Sequence, residues 1–321
     1  MISDALSIAR KEFTDTITSK RLWLIVGVLL LFSVASTYST IFRVITAFQQ
    51  AGRPVASVFS AIATTMAYMA PLLGIALAFD AISGERERGT LRILLSRPIY
   101  REDVINGKII SALAVISLAV TLSSFAAVSI SILLHNIAVT MDDIARVCLF
   151  IVFSIVFSFA YYAFSLFIST LSSKSSHSLI ISIGIWIFFA FILSAISSLI
   201  ATAVLGPPPV RSFQAFNMSQ RQFRNFTSPS IFPQEYLDYM RREAEISSMI
   251  QVFSINYHYT QITSLLFGYA TRPIEFGQGG RALTSIPTVI STRLIDVVIL
   301  IVFPIVFLFA SYMIFTRRQE K

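Results

Sequence analysis

The stretch that decides the fold is Val147–Leu171, which reads VCLFIVFSIVFSFAYYAFSLFISTL and holds no charged side chain over 25 residues. A helix rises about 1.5 Å per residue, so about 20 apolar residues cross the hydrocarbon core of a bilayer. Phe, Ile and Val occupy odd and even positions alike, whereas the strands of a membrane barrel alternate polar and apolar residues. Because backbone polar groups in lipid must be paired internally, the stretch predicts a transmembrane helix.

Five further windows share this length and this lack of charge: Leu22–Phe42, Pro54–Phe79, Ile109–Met141, Ser175–Val210 and Val297–Thr316. Of the 321 residues, 55% are hydrophobic and only 13% are charged, whereas soluble domains average about 25% charged residues. This composition excludes ordinary soluble enzymes and disordered proteins. We therefore predict an all-α integral membrane protein with six transmembrane helices.

The basic residues predict how these helices are oriented. With the N-terminus inside the cell, the inner segments hold every Lys of the chain, and the two short outer loops hold only Arg43, Arg53 and Arg146. Basic residues concentrate on the cytoplasmic side of membrane proteins. We expect a multi-pass protein of the plasma membrane with both termini in the cytoplasm. Because this topology accounts for the formal charge of +8, we expect no nucleic acid partner.

The predicted boundaries divide the chain into five parts. They are an interfacial amphipathic helix (1–21), transmembrane helices one to five with an inner loop at 80–108 (22–205), a helical extracellular segment (206–293), helix six (294–316) and a cytoplasmic tail (317–321). The apolar stripe of the first part fits membrane lipid and a packed protein surface equally well. Within the extracellular segment, Ile255–Ala270 is apolar but only about 16 residues long, which favours a re-entrant or surface-lying helix over a full crossing.

The sequence shows no catalytic or metal-binding pattern. His135, His177 and His258 lie far apart, and no pair of them has metal-ligand spacing. Gly84–Thr90 has the glycine spacing of a phosphate-binding loop, but Lys is missing before Thr90 and two carboxylates are present. We predict a chain that is not an enzyme and binds no cofactor of its own. Asp296, at the start of the sixth helix, is expected to snorkel to the membrane surface.

The inner loop at 80–108 carries the most specific pattern. It mixes six basic with five acidic residues in the order Glu85-x3-Gly89-Thr90-Leu91-x2-Leu94-Leu95-x2-Pro98-x2-Arg101-x5-Gly107-Lys108. Charge alone fits both a docking element and a solvated loop that fixes topology. The spacing, however, closely resembles the inner loop of the ABC transporter type-2 permease family, the membrane subunits of ABC exporters, and the six-helix layout resembles that family as well.

The resemblance implies a set of partners and sites. The partners would be an ATP-binding cassette ATPase subunit, which holds the ATP and Mg, a second permease chain in a homodimer or heterodimer, and membrane lipid. The loop would dock on the ATPase subunit through Glu85, Gly89, Thr90, Leu91, Leu94, Leu95, Pro98, Arg101 and Lys108. The substrate path would run between helices two and five, past Thr64, Thr65, Tyr68, Met69, Ser182, Ser194 and Ser197. Polar residues on membrane helices also commonly bond one helix to another, which is the alternative for these seven.

Two functions fit these sequence features. The chain is expected to be the permease subunit of an exporter that moves a substrate out of the cytoplasm with ATP hydrolysed elsewhere. The alternative is a membrane scaffold that transmits ATP-driven motion to an extracytoplasmic partner through residues 206–293. The sequence does not identify a substrate.

Overall fold

The computed structural model describes residues 2–47, 54–90, 100–135, 140–208, 234–268 and 285–317. All of its secondary structure is helical in these ranges, in the following order: α1 (Ile2–Ile17), α2 (Lys20–Ala47), α3 (Pro54–Ala78), α4 (Ser83–Glu87), α5 (Arg101–His135), α6 (Met141–Leu171), α7 (Ser175–Ile187), a π-helical turn (Phe188–Ile192), α8 (Leu193–Leu205), α9 (Gln234–Gln251), α10 (Ile255–Phe267), α11 (Ile286–Thr292) and α12 (Leu294–Arg317).

The prediction of six membrane-spanning helices is confirmed. Six helical stretches in the described part of the chain are long and apolar enough to cross a bilayer, and each overlaps one predicted window. Span one lies in α2, span two in α3, span three in α5 and span four in α6; span five runs from α7 through the π-turn into α8, and span six is α12. Span three begins at Arg101, which is eight residues before the predicted window.

Span four lies at the centre of the bundle. Helix α6 packs against α3, α5, α10 and α12, and Phe157, Ala160 and Leu166 are fully buried along it. Its first turn carries a capping box, in which Thr140 Oγ1 accepts from the backbone N–H of Asp143 and the Asp143 carboxylate accepts from the N–H of Thr140. The stretch Val147–Leu171, with which the prediction of the fold began, therefore also forms the core of the bundle.

The N-terminal helix lies along the beginning of span three. Ala5 and Ala9 are buried, while Leu6, at the flank of this face, is 61% exposed. A Cβ on Gly107 of α5 would lie 2.7 Å from Ile8 Cγ2, so only glycine permits this close approach. One face of α1 is thus packed on protein, and contact of its other face with lipid stays a prediction.

Helices α9 and α10 form a re-entrant helix–turn–helix, called the hairpin below, whose two helices pack on different neighbours. Helix α9 packs on α8, and α10 packs on spans two, four and six. Tyr239 of α9 donates to the carbonyl of Gly206, which ends α8, and Gln251 Nε2 donates to Ser197 Oγ about 13 Å further along that helix. Helix α10 then returns along span four, from a contact with Tyr161 to one with Arg146.

The depth of this hairpin follows from its contact with span four. Tyr161 lies about 22 Å beyond Arg146 on α6, and it donates to Asn256 in the first turn of α10. The turn of the hairpin therefore lies near mid-span. This geometry supports the re-entrant alternative for the short apolar stretch, and the π-turn of span five faces the hairpin through a bond from Ser254 Oγ to Phe189 O (3.2 Å).

Candidate coupling site

Helix α4 is fixed to the end of span four by one serine. Ser169 Oγ of α6 accepts the backbone N–H groups of Ile82 and Ser83 at 3.1 and 3.0 Å. It also donates to Ser83 Oγ at 3.1 Å. All three residues are buried, so these bonds occur away from competing water and fix where α4 begins.

Two charged side chains extend this attachment to the start of span five. Arg86 donates to the carbonyls of Thr170 and Ser172, at 3.3 and 2.5 Å. Glu87 accepts from both the backbone N–H and the hydroxyl of Ser175, at 3.0 and 2.6 Å. Charged groups strengthen hydrogen bonds. Helix α4 therefore bridges the junction between α6 and α7.

Lys108 joins α4 to two further helices. Its ammonium lies 2.7 Å from Glu85 Oε1 on α4 and 3.0 Å from Glu12 Oε1 on α1, and its side chain is only 6% exposed. Tyr162 of α6 donates to the Lys108 carbonyl at 3.2 Å. A buried cation needs such partners because its removal from water is costly. We call Glu12, Glu85 and Lys108 the inner triad.

Span one is tied to the same region. Arg21 donates to the Asp80 carboxylate at 3.0 Å and to the Ala76 carbonyl, and its guanidinium lies 4.4 Å from the centre of the Phe79 ring. Between this pair and the inner triad lies a cavity of about 390 Å³ with charged and apolar walls. Helix α4 thus connects, directly or through its neighbours, to α1 and to spans one, three, four and five.

Among the predicted docking residues that the structure describes, some point into the protein and others are exposed. Glu85 and Lys108 point inward, and Arg101 donates to the carbonyl of Phe315 in span six at 3.4 Å. Gly89 and Thr90 are exposed, and Gly89 leaves α4 with φ 73°, a conformation that favours glycine. Leu91, Leu94, Leu95 and Pro98 lie outside the described residues. Docking by these nine residues stays a prediction.

Sequence reasoning missed the partners that hold α4 in place. Glu12 and Ser169 lie far from the loop in sequence and belong to no local pattern. Arg86 and Glu87 lie inside the quoted motif, and their charges were the available signal. The residues that follow the helix, Arg88 to Thr90, are exposed.

The predicted substrate-path residues lie on neighbouring helices and differ in their bonding. Tyr68 of span two stacks on Phe191 of span five, with ring centres 5.3 Å apart. Ser182 bonds to Ser165 of span four (3.1 Å), and Ser197 accepts from Gln251 of the hairpin (2.9 Å).

The remaining path residues interact mainly within their own helices. Thr64 and Thr65 donate to the carbonyls of Ser60 and Ala61, and the Ser194 carbonyl accepts from Ser197. Thr64 and Ser194 are exposed, whereas Met69 packs against the core. The described contacts of the seven residues join one helix to another or lie within one helix. A role of these residues in transport stays a prediction.

Comparison with known proteins identifies the family. The model of the "ABC-2 family transporter protein" family matches residues 6–319. This chain belongs to that family. Two relatives described as "Probable ABC transporter permease protein NosY" agree with the assignment. The one from Stutzerimonas stutzeri is 28% identical over 200 residues, and the one from Pseudomonas aeruginosa is 29% identical over 203 residues. Each alignment covers 62% of this chain and 70% of the relative.

The family assignment bears on the role of helix α4. This ABC-2 protein is a membrane subunit of an ABC transporter, and the family implies an ATP-binding cassette partner. A permease of this kind needs a surface through which motion of the soluble partner reaches the spans. Helix α4 is bonded to more than one span and ends on an exposed surface, so it has the geometry required.

Proposed function

We propose that this ABC-2 permease is the membrane subunit of an exporter that moves a substrate out of the cytoplasm. The observation that carries the proposal is the bonding of α4. A force applied to this short helix acts on span four through Ser169, on span five through Glu87, and on α1 and span three through Lys108. Rigid attachment of this kind transmits displacement instead of absorbing it.

The energy source in this proposal is a separate ATPase subunit, which binds the ATP and Mg and docks on α4 and the loop that follows. A second permease chain completes the transporter, and the apolar side chains exposed along span five, such as Leu199 and Val204, supply surface for lipid or for that chain. The distribution of Lys and Arg supports a cytoplasmic location of both termini and of α4.

The packing of the hairpin favours export over the scaffold alternative. A scaffold arm for an outer partner should stand away from the membrane, but α10 is buried against spans two, four and six. His258, Tyr259 and Leu266 are each no more than 1% exposed. Helix α10 therefore belongs to the bundle, where it can close or open one end of a path, whereas no residue of α9 is buried.

Docking can be tested at Arg88, which is exposed and next to the end of α4. We expect Arg88→Glu to weaken binding of the cognate ATPase subunit to the purified permease by about tenfold or more, because it reverses a charge at the proposed contact. The matched control is Arg242→Glu, an exposed arginine on the hairpin helix α9. Equal binding by both variants and the wild type would contradict docking at α4.

The direction of transport needs its own experiment. Inverted membrane vesicles that contain the permease and its ATPase subunit should accumulate a transported compound when ATP is added outside, and a panel of fluorescent amphiphiles supplies candidate compounds. ATP-dependent loss of a preloaded compound from these vesicles would indicate import and would overturn the proposal of export while leaving docking intact.

A further inference from the structure

A buried histidine–aspartate pair lies at the turn of the hairpin. The side chain of His258 in α10 is buried, and its Nδ1 lies 2.6 Å from Asp296 Oδ1 in the first turn of α12. Its Nε2 lies 2.8 Å from the carbonyl oxygen of Val252, in the turn between α9 and α10. The expectation that Asp296 snorkels is wrong, because its carboxylate is buried and paired within the protein.

The geometry shows how many protons are needed for both contacts to be hydrogen bonds. A carbonyl oxygen only accepts, so Nε2 must carry a hydrogen to bond to Val252. An ionised carboxylate and an unprotonated Nδ1 are both acceptors, so the contact with Asp296 needs a hydrogen as well. Both bonds exist together only when the pair holds one proton more than a neutral histidine beside an ionised aspartate.

Two further features surround the Asp296 carboxylate. Arg293, at the end of α11, lies 3.6 Å from Asp296 Oδ2. Asp296 also lies in the first turn of α12. The carboxylate therefore has a second basic side chain near it in addition to His258.

The other titratable groups on the helices around α10 have bonding partners of their own. On span four, Tyr161 bonds to Asn256, and Arg146 bonds to the Leu266 carbonyl and to Asp142. In the described parts of span two and the π-turn there is no charged residue, and Tyr68 of span two stacks on Phe191. On α10 itself the Tyr257 ring meets the imidazole edge-on at 5.6 Å.

We propose that His258 and Asp296 form a buried proton-binding site that fastens the turn of the hairpin to span six. With the proton bound, the imidazolium joins Val252, at the deep end of the hairpin, to the start of α12. When the proton leaves, the neutral ring has one hydrogen for two acceptors. That hydrogen stays on Nδ1, where it faces the carboxylate, so the contact between Nε2 and the Val252 carbonyl becomes repulsive and the ring no longer holds the turn. Histidine is the side chain whose charge changes near neutral pH.

The direction of the pH effect follows from the coupling between proton binding and the closed hairpin. The fastening is complete at mildly acidic pH and is lost as the pH rises and the ring gives up its proton. A proton from the solution on the hairpin side thus favours the closed hairpin, and its loss favours an open one. The inference holds whichever way the substrate moves.

The test uses the full chain in lipid nanodiscs and hydrogen exchange of the amides at 252–260. After correction for intrinsic exchange, we expect protection to fall at least about tenfold between about pH 6 and about pH 8.5. The double variant His135→Gln/His177→Gln, which leaves His258 as the remaining histidine, should show the same fall. Equal protection at both pH values in the wild type and in this variant would overturn the proposal.

Two variants at the site complete the test. His258→Gln keeps a donor for the Val252 carbonyl but does not titrate, and Asp296→Asn removes the buried negative charge. Each should show low protection at both pH values. A fall in His258→Gln as large as in the wild type would show that another group is responsible and would overturn the assignment, and the histidine double variant decides the question if either site variant fails to fold.

Discussion

Two buried basic side chains, one beside α4 and one at the turn of the hairpin, are held in different ways. Lys108 pairs with two carboxylates and joins three helices around α4, whereas His258 pairs with one carboxylate and joins the hairpin to span six. A lysine ordinarily keeps its charge at physiological pH, and a histidine does not. In the two proposals, the Lys108 joint is permanent and suited to transmitting force, whereas loss of a proton loosens the His258 joint.

The largest effect is expected from removing the inner cation. Lys108→Met leaves Glu12 and Glu85 facing each other without a counter-charge, and the loss of one partner from a buried ion pair typically costs about 3–5 kcal/mol. Denaturant unfolding in detergent measures this cost. Lys11→Met, at an exposed position on α1, is the control and should change stability by less than about 0.5 kcal/mol.

A triple variant separates pairing from packing at the same site. Adding Glu12→Gln and Glu85→Gln to Lys108→Met should recover a large part of the lost stability, because no uncompensated charge then remains. Additive destabilisation by the three substitutions would contradict the description of the inner triad as an electrostatic joint.

A smaller effect is expected where α1 approaches span three. In Gly107→Ala the new methyl group would lie 2.7 Å from Ile8 Cγ2 and 3.0 Å from the Ala5 carbonyl, so α1 must shift. Overpacking of this kind costs about 1–3 kcal/mol. Gly184→Ala in span five meets nothing within 4 Å and should be neutral or slightly stabilising. If both variants unfold at the same denaturant concentration as the wild type, the close approach of α1 is not part of the native fold.

The smallest effect should come from one hydrogen bond at the hairpin. Tyr259→Phe removes the contact with Ser154 Oγ (2.8 Å) but keeps the stacking on Phe157, so it should cost about 1 kcal/mol. We expect the cost to appear as faster hydrogen exchange of α10 and not of α4. Tyr38→Phe, at a tyrosine that is 63% exposed, should leave exchange in both helices unchanged.

The sequence predicted the architecture because the bilayer imposes strong and simple constraints. The length and lack of charge of the six windows, such as Val147–Leu171, were sufficient to place every span. The start of span three at Arg101 was missed because helix α5 continues beyond the apolar core, where charged residues such as Glu102 and Lys108 pair with neighbouring elements or reach solvent.

The sites were harder to predict because their bonds connect distant parts of the chain. Lys108 and Glu12 are separated by 96 residues, and His258 and Asp296 by 38. No local spacing reports such contacts. Asp296 was misread because an acidic residue at a span end usually reaches water, and only the folded hairpin shows that it is covered.

Attachment of the ATPase subunit at α4 is the central claim, and one cross-linking experiment tests it most directly. In a Cys148→Ser background, Thr90→Cys places a thiol beside α4, and Met141→Cys places one at the other end of span four, where the side chain is 84% exposed. We predict that a short bismaleimide links Thr90→Cys to the cognate ATPase subunit and does not link Met141→Cys. Cross-linking from position 141 and not from position 90 would contradict the account.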